Sequence, residues 1–377
     1  MITVEDKATQ LDDLLERMAE GIQLDSTRYE RMINSYEAVN NWIEEDEKFF
    51  KPFKYDVYPH GSVRILTTVK PIGRDEFDLD IVIHLESNWS QHTPQRIYNE
   101  LKRRLEEHEK YKTMLEAKNR CLRLNYSGDF HMDIMLGIQE NEFDINKIKV
   151  PDRELGDWVS SNPRGYAEWF IAKAKQAKGL LIKKAVNSAE RIPADDFDTK
   201  RPLQRAVQLI KRYRDIYFEK DDTYKTGSII LTTIAGQFYS GEDSVFETVD
   251  NIITTIRAKV NQPLPRFKIL NPVNVAEDFT DKWETEPKYY EAFKKFANHL
   301  HNEWQKLKED HGIPEEGNIL KGLFGNDVFN KAQTGQAAVL DGLRKNNSLG
   351  ATRKTGILSS VGTIGTATIK TNTFFGE

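Results

Sequence analysis

Acid and apolar residues alternate through Asp78-Leu79-Asp80-Ile81-Val82-Ile83. The pattern reads as a strand with Leu79, Ile81, Ile83 and Leu85 on one side and both carboxylates on the other. Side chains that share a side of a strand recur roughly every 6–7 Å, so the two acids can converge on a pair of divalent cations about 3.5–4 Å apart. Upstream, Tyr58-Pro59-His60-Gly61-Ser62 ends in a Gly-Ser turn, and such a turn offers backbone N–H groups and a hydroxyl to a phosphate. Alone, an Asp-x-Asp strand is most often a solvated sheet face. In this order the two stretches predict phosphoryl or nucleotidyl transfer.

The elements that must position these residues follow from periodicity. Residues from about Val4 to Phe49 carry helical spacing, with Leu11, Leu14, Leu15 and Met18 in a first segment and Tyr29, Met32, Ile33, Tyr36 and Trp42 in a second. Tyr55 to Tyr58 is a strand candidate leading into the Gly-Ser turn; Val63 to Leu66 begins a helix or an irregular loop that carries Arg64 toward phosphate. Gln95 to Tyr111 is an amphipathic helix. Cys121 to Tyr126, the turn Ser127-Gly128-Asp129 and Phe130 to Leu136 form a β-hairpin. This strand, helix and hairpin layout predicts an α+β domain. Asp198 to Phe218 is a strongly patterned helix with Leu203, Val207, Ile210 and Tyr213 inward and the cations Lys211, Arg212 and Arg214 clustered in its second half. Beyond about Arg344, Ser, Thr, Gly and Lys dominate, and a mobile tail is expected.

Composition narrows the setting. A chain of 377 residues suits roughly two to three domains. Charged residues make up 30% and the net charge is −5, which argues against a long nucleic acid as principal partner, since polyanion binders carry a basic footprint. The single cysteine, Cys121, excludes internal disulfides and cysteine-rich zinc sites and fits a reducing cytosol. No apolar run approaches the roughly 20 residues of a membrane span, and the N-terminus lacks a signal peptide's apolar core. A soluble, cytoplasmic protein is expected.

The Gly-Ser turn, the spacer, the Asp-x-Asp strand and a later single acid resemble the signature of the nucleotidyltransferase superfamily that contains poly(A) polymerases, oligoadenylate synthetases and cGAS. In that resemblance the later acid is Asp133, within His131-Met132-Asp133-Ile134-Met135-Leu136; its apolar neighbours make an unpaired carboxylate there costly. Trp158-Val159-Ser160-Ser161-Asn162-Pro163-Arg164-Gly165-Tyr166 is similar to a stretch of the cGAS/DncV-like nucleotidyltransferases (CD-NTases) of bacterial anti-phage defence (CBASS). Ile269 to Trp283 resembles the Asn-Pro … Trp block of the same enzymes.

The resemblance implies a bilobed fold: a Pol β-like mixed-sheet catalytic lobe packed on an α-helical lobe. Residues 1–170 would form the N-terminal helices and catalytic core, 171–343 the helical lobe completing the nucleotide pocket, and 344–377 a flexible tail. It implies Asp78, Asp80 and Asp133 as catalytic ligands of two Mg2+ ions, with Mn2+ as an alternative. Gly61, Ser62, Arg64, Lys211 and Ser228 would hold the triphosphate. The implied activity is synthesis of a cyclic di- or trinucleotide from ATP, GTP or other nucleoside triphosphates, which acts on a downstream effector. A linear oligonucleotide synthase, a transferase of AMP to protein and an inactive nucleotide-binding scaffold are the alternatives. Related defence enzymes can be joined to a target through their C-terminus by a ubiquitin-transfer-like partner; here the chain ends Gly376-Glu377.

Overall fold

A computed structural model describes residues 4–73, 76–176, 195, 199–263, 266–309, 313–352, 358–360 and 366–368. In chain order the first half forms α1 (Val4–Gly21), α2 (Ser26–Glu44), β1 (Lys54–His60), the single turn α3 (Gly61–Arg64), β2 (Phe77–Glu86), α4 (Pro94–Glu106) and α5 (Glu109–Met114). It continues with β3 (Leu115–Ala117), β4 (Leu122–Tyr126), β5 (Phe130–Gln139), β6 (Ile148–Asp152), β7 (Asp157–Ser161) and α6 (Pro163–Ala174). The strands join in the order β1-β2-β5-β4-β3, with β6 paired to β5 and β7 to β6. Among the described strands of this sheet only β2 and β5 run parallel; the other pairs are antiparallel. A parallel pair needs a long crossover, and here α4, α5, β3 and β4 supply it.

The alternation in β2 has the predicted result. Leu79, Ile81, Ile83 and Leu85 are buried against α4 (Ile97, Leu101, Leu105) and α2 (Met32, Tyr36, Val39, Ile43). Sequence did not foresee that the opposite side also becomes dry past the acids, where Tyr58, Val82, Ile148 and Val150 form a small second cluster. The β6–β7 hairpin thus covers the sheet up to the edge of Asp80. The helix expected over 95–111 is interrupted instead: α4 ends at Glu106, and His108 caps α5, its Nδ1 accepting from Tyr111 N. At the start of α6, Asn162 Oδ1 accepts from Gly165 N at 3.0 Å, an N-cap followed by proline at the first helical position. A Cβ on Gly165 would lie 2.5 Å from that oxygen, so the Asn-Pro-Arg-Gly run is a capped helix start with no room for a side chain.

The second half is helical: α7 (Pro202–Tyr217), α8 (Ser228–Phe238), α9 (Val245–Val260), the short strands β8 (Leu270–Asn271) and β9 (Asn274–Asp278), α10 (Lys282–Thr285), α11 (Lys288–Lys306), α12 (Ile313–Phe324) and α13 (Asn326–Lys345). Its core draws Leu203, Val207 and Ile210 from α7, Ile253 from α9 and Phe293, Phe296 and Trp304 from α11. Leu11, Leu14, Leu15 and Met18 of α1 are buried in this same core. The N-terminal helix, grouped with the catalytic core by sequence order, therefore packs in the helical lobe against α7, α9 and α13. Only α2 joins the sheet.

One polar stripe ties the lobes together. Gln204, Gln208, Lys211 and Arg212, spaced to share a side of α7, donate to the backbone carbonyls of Ile65 (2.9 Å), Thr68 (2.8 Å), Thr67 (3.0 Å) and Lys70 (2.6 Å). These carbonyls belong to the strap that runs from the Gly-Ser turn toward β2. Each such bond is worth about 1 kcal/mol net, and more would be lost by orphaning a buried carbonyl.

The expectation of a mobile tail needs correction. α13 runs to Lys345, and β10 (Leu349–Thr352), β11 (Leu358–Ser360) and β12 (Thr366–Thr368) pair antiparallel as a three-stranded sheet. The Thr content that reads as low-complexity polarity is also strand-favouring composition. The terminal Phe374-Phe375-Gly376-Glu377 lies outside the described residues. Among the described residues, no helix is long and apolar enough to cross a membrane.

Candidate active site

The site is assembled by register. In the β1–β2 pair His60 stands opposite Asp80, so the turn that follows His60 falls beside that carboxylate. Gly61 there has φ +60°, the left-handed region that favours glycine. A Cβ at this position would lie 2.1 Å from Asp80 Oδ2; glycine is required both by conformation and by proximity. Ser62 Oγ accepts from Thr68 Oγ1 at 3.2 Å, and Ser62 O accepts from Thr67 N at 2.9 Å. Arg64 completes the turn, but it does not line the cavity described below.

In the parallel β2–β5 pair Asp80 stands level with Asp133, and across the β4–β5 hairpin Asp133 stands level with Arg123. Arg123 grips both oxygens of Asp133, at 2.7 and 2.8 Å, and approaches Asp78 at 3.6 Å. All three sequence-predicted acids are therefore gathered at one end of the sheet, with Asp133 locked in a guanidinium fork behind the other two.

The electrostatics match this crowding. Burial, with Asp78 and Asp133 as like charges, pushes the Asp80 carboxyl up to about 8. Asp78 is raised by burial and by Asp133, with Arg123 opposing. His60 is pushed down to about 4 by burial, so it is neutral at physiological pH. Lys211, buried and near Arg214, is lowered to about 7, with Asp215, Asp80 and Asp78 pulling the other way.

A cavity of about 430 Å3 joins these groups, within the range of small-ligand sites. His60, Gly61, Ser62, Asp78 and Asp80 border it from the catalytic lobe, and Lys211, Ser228, Ile229 and Thr232 from the helical lobe. Ser228 opens α8, whose first backbone N–H groups lack helical partners and suit an anion; its Oγ accepts from Arg214 Nη1 at 2.5 Å. The remaining walls are apolar and aromatic, from Val150, Val159, Tyr166 and Phe279, with Arg120, Asn271 and Glu277 as their polar groups. Of the predicted residues, Gly61, Ser62, Asp78, Asp80, Lys211 and Ser228 line this one cavity; Asp133 sits one strand behind it and Arg64 outside it. Arg123 could have been found in sequence, because the hairpin register fixed by the turn at residues 127–129 sets it opposite Asp133. Arg120 and Glu277 carry no such signal.

The acids pass one test of a divalent-cation site and leave another open. Burial and the like charges of Asp78 and Asp133 raise Asp80, and both are penalties that a hard cation would relieve. Among the described residues, however, no three acids, histidines or cysteines are disposed to hold a metal as they stand, and both oxygens of Asp133 are engaged by Arg123. Asp78 and Asp80 fit such an ion directly; Asp133 fits only on release from the fork.

Comparison with known proteins places this geometry. Residues 9–173 match the Second Messenger Oligonucleotide or Dinucleotide Synthetase domain (SMODS). Over 379 aligned residues, and the whole of both chains, the protein is 41% identical to a c-di-GMP synthase of Roseivirga ehrenbergii. The fold is similar to the Bradyrhizobium diazoefficiens CD-NTase CdnG in complex with GTP, with a TM-score of 0.69 and 23% identity over 87% of this chain and 99% of that one. It is also similar to Escherichia coli MS115-1 CdnC with ATP, with a TM-score of 0.63 and 12% identity over 84% and 98% of the two chains. With the paired acids, the Gly-Ser turn and the two-lobed pocket in place, the chain belongs to the CD-NTase family and is a nucleotidyltransferase of the bilobed α+β fold.

Proposed function

We propose that the protein joins two nucleoside triphosphates into a cyclic dinucleotide, with cyclic di-GMP as product. The observation that carries this reading is the full-length 41% identity to a c-di-GMP synthase, supported by a cavity in which Asp78 and Asp80 face a lysine from the opposite lobe. Gly61 and Ser62 offer backbone and hydroxyl donors to the donor triphosphate, Lys211 adds a compact positive charge, and the first turn of α8 at Ser228 receives an anionic oxygen. Asp78 and Asp80 would hold two Mg2+ ions, joined by Asp133 once it leaves Arg123. Bound there, the ions would lower the pKa of the attacking ribose hydroxyl and neutralise the departing pyrophosphate. Val150, Val159, Tyr166 and Phe279 exclude water from the base. In this reading the product is a signal to an effector in anti-phage defence, and the enzyme works in the cytoplasm.

The test is incubation of the purified protein with all four nucleotides and Mg2+, phosphatase treatment and mass analysis. The expected result is a phosphatase-resistant cyclic dinucleotide that is lost in Asp78→Asn and Asp80→Asn. Linear products alone, or undiminished synthesis by either variant, would overturn the reading.

A further inference from the structure

In the same cavity as the acids, two short hairpins supply three polar groups that the phosphate chemistry leaves unused: Arg120, Asn271 and Glu277. Their orientations are fixed from behind. Asn271 bridges the β8–β9 turn, its Oδ1 accepting from Val273 N at 3.1 Å, so its amide nitrogen must face Glu277, where it donates to Oε2 at 2.7 Å. Among the described residues Asn271 is the hydrogen-bond partner of Glu277, and it takes one oxygen. Arg120 is held by its Nε, which donates to the buried Asp152 at 2.7 Å. Asp152 is itself anchored by Glu154 N and Leu155 N. Among the described residues the terminal nitrogens of Arg120 have no hydrogen-bond partner, and its charge acts on Glu277. A half-buried carboxylate with an open oxygen thus shares this cavity with a guanidinium whose terminal nitrogens are open, and Val159, Tyr166 and Phe279 supply apolar surface to the same lining.

We propose that Glu277 and Arg120 read the base of the nucleotide in this cavity and select guanine, with Asn271 as the positioning residue. Guanine alone among the four bases presents two adjacent donors, N1–H and the N2 amino group, next to two acceptors, O6 and N7. A carboxylate matches the donors, and an arginine fork matches the acceptors in the pairing most used to read guanine. Adenine would set its N1 lone pair against the Glu277 carboxylate and its N6 amino group against Arg120, a mismatch at both positions. Sites that hydrogen-bond their substrate reject an analogue lacking those groups far more strongly than apolar pockets do.

This inference rests on the reading of the cavity as a nucleotide site, and one experiment separates the two. Binding of non-hydrolysable GTP and ATP analogues would be measured by calorimetry with Mg2+ for the wild-type chain, Glu277→Gln, Glu277→Asp and Arg120→Met, with thermal unfolding as the folding control. The wild-type chain should prefer the GTP analogue by roughly 100-fold or more. In Glu277→Gln the amide oxygen can still accept from Asn271, which turns its NH2 toward the base. GTP-analogue affinity should then fall roughly 30-fold or more while the ATP analogue binds as well or better. Glu277→Asp should recover part of the preference, and Arg120→Met should lose roughly tenfold for GTP. A GTP:ATP ratio unchanged in Glu277→Gln, or a wild-type preference for ATP, would overturn the guanine assignment and leave the nucleotide site standing. Binding of neither analogue by the folded wild-type chain would overturn both.

Discussion

Replacing Gly61 by alanine should lower activity far more than stability. Two costs are readable from the coordinates. The backbone cost comes from φ +60°, where an L side chain loses about 1–2 kcal/mol. The local cost comes from the 2.1 Å between the new Cβ and Asp80 Oδ2, so the carboxylate must retreat by about 1 Å to reach ordinary contact. Displacement of a reacting group by ~1 Å costs roughly 100-fold in rate, and Asp80 is the most buried of the acids lining the cavity. Gly73 is the control: its φ is +64°, but a Cβ there meets nothing within 4 Å among the described residues. Gly61→Ala and Gly73→Ala should both lower the unfolding midpoint by a few degrees. Conversion of labelled GTP should fall about 100-fold or more in the first and stay within threefold of wild type in the second. Equal activity in the two variants, or a loss in Gly61→Ala fully matched by loss of folded protein, would refute the reasoning.

Three further outcomes are expected. Lys211→Met keeps the length of the side chain but removes its charge and orphans the Thr67 carbonyl, so stability should fall by about 1–3 kcal/mol while the apparent KM for nucleotide rises roughly tenfold or more among the folded molecules, measured by thermal unfolding and initial rates. His84 is buried in β2, where burial and Arg164 push it down to about 4; a base depressed on folding stabilises the native state above its ordinary value of 6.5 and loses that stability as pH falls toward 4. The loss is ~3 kcal/mol, and denaturant midpoints at pH 7.5 and 4.5 should show it clearly reduced in His84→Leu. Gln208→Ala orphans the Thr68 carbonyl under α7 and should destabilise by about 1–3 kcal/mol, with a larger proportional effect on turnover than a surface substitution such as Lys102→Ala.

What sequence could and could not show follows from the range of each signal. Asp78 and Asp80 were legible because a two-residue period and their apolar neighbours dictate a shared strand side. Asp133 is legible by family likeness, and its hairpin partner Arg123 follows from the turn at residues 127–129; the fork it makes decides how the third acid is presented. On α7 the periodicity shows Leu203, Val207, Ile210 and Tyr213 inward and a cluster of cations, whereas Gln204, Gln208, Lys211 and Arg212 are buried as well because they meet a strap some 140 residues earlier in the chain. No local rule reaches that far. The same distance hid the placement of α1: its leucines announce a buried face without saying which core buries it. The base-facing wall combines residue 120 with residues 271 and 277, and each looks like ordinary loop polarity until the β8–β9 hairpin folds beside β7.

The polar stripe of α7 bears on where this protein can be divided. The matched family region ends at residue 173, just as α6 closes, and a fragment cut there would keep Asp78, Asp80 and Asp133. It would also leave the carbonyls of Ile65, Thr67, Thr68 and Lys70 without the donors that hold them, and strip α1 of its packing partners in α7, α9 and α13. Such a fragment would own the reacting groups and lack the frame that aims them, so the smallest working unit extends well past the conventional boundary, to α13.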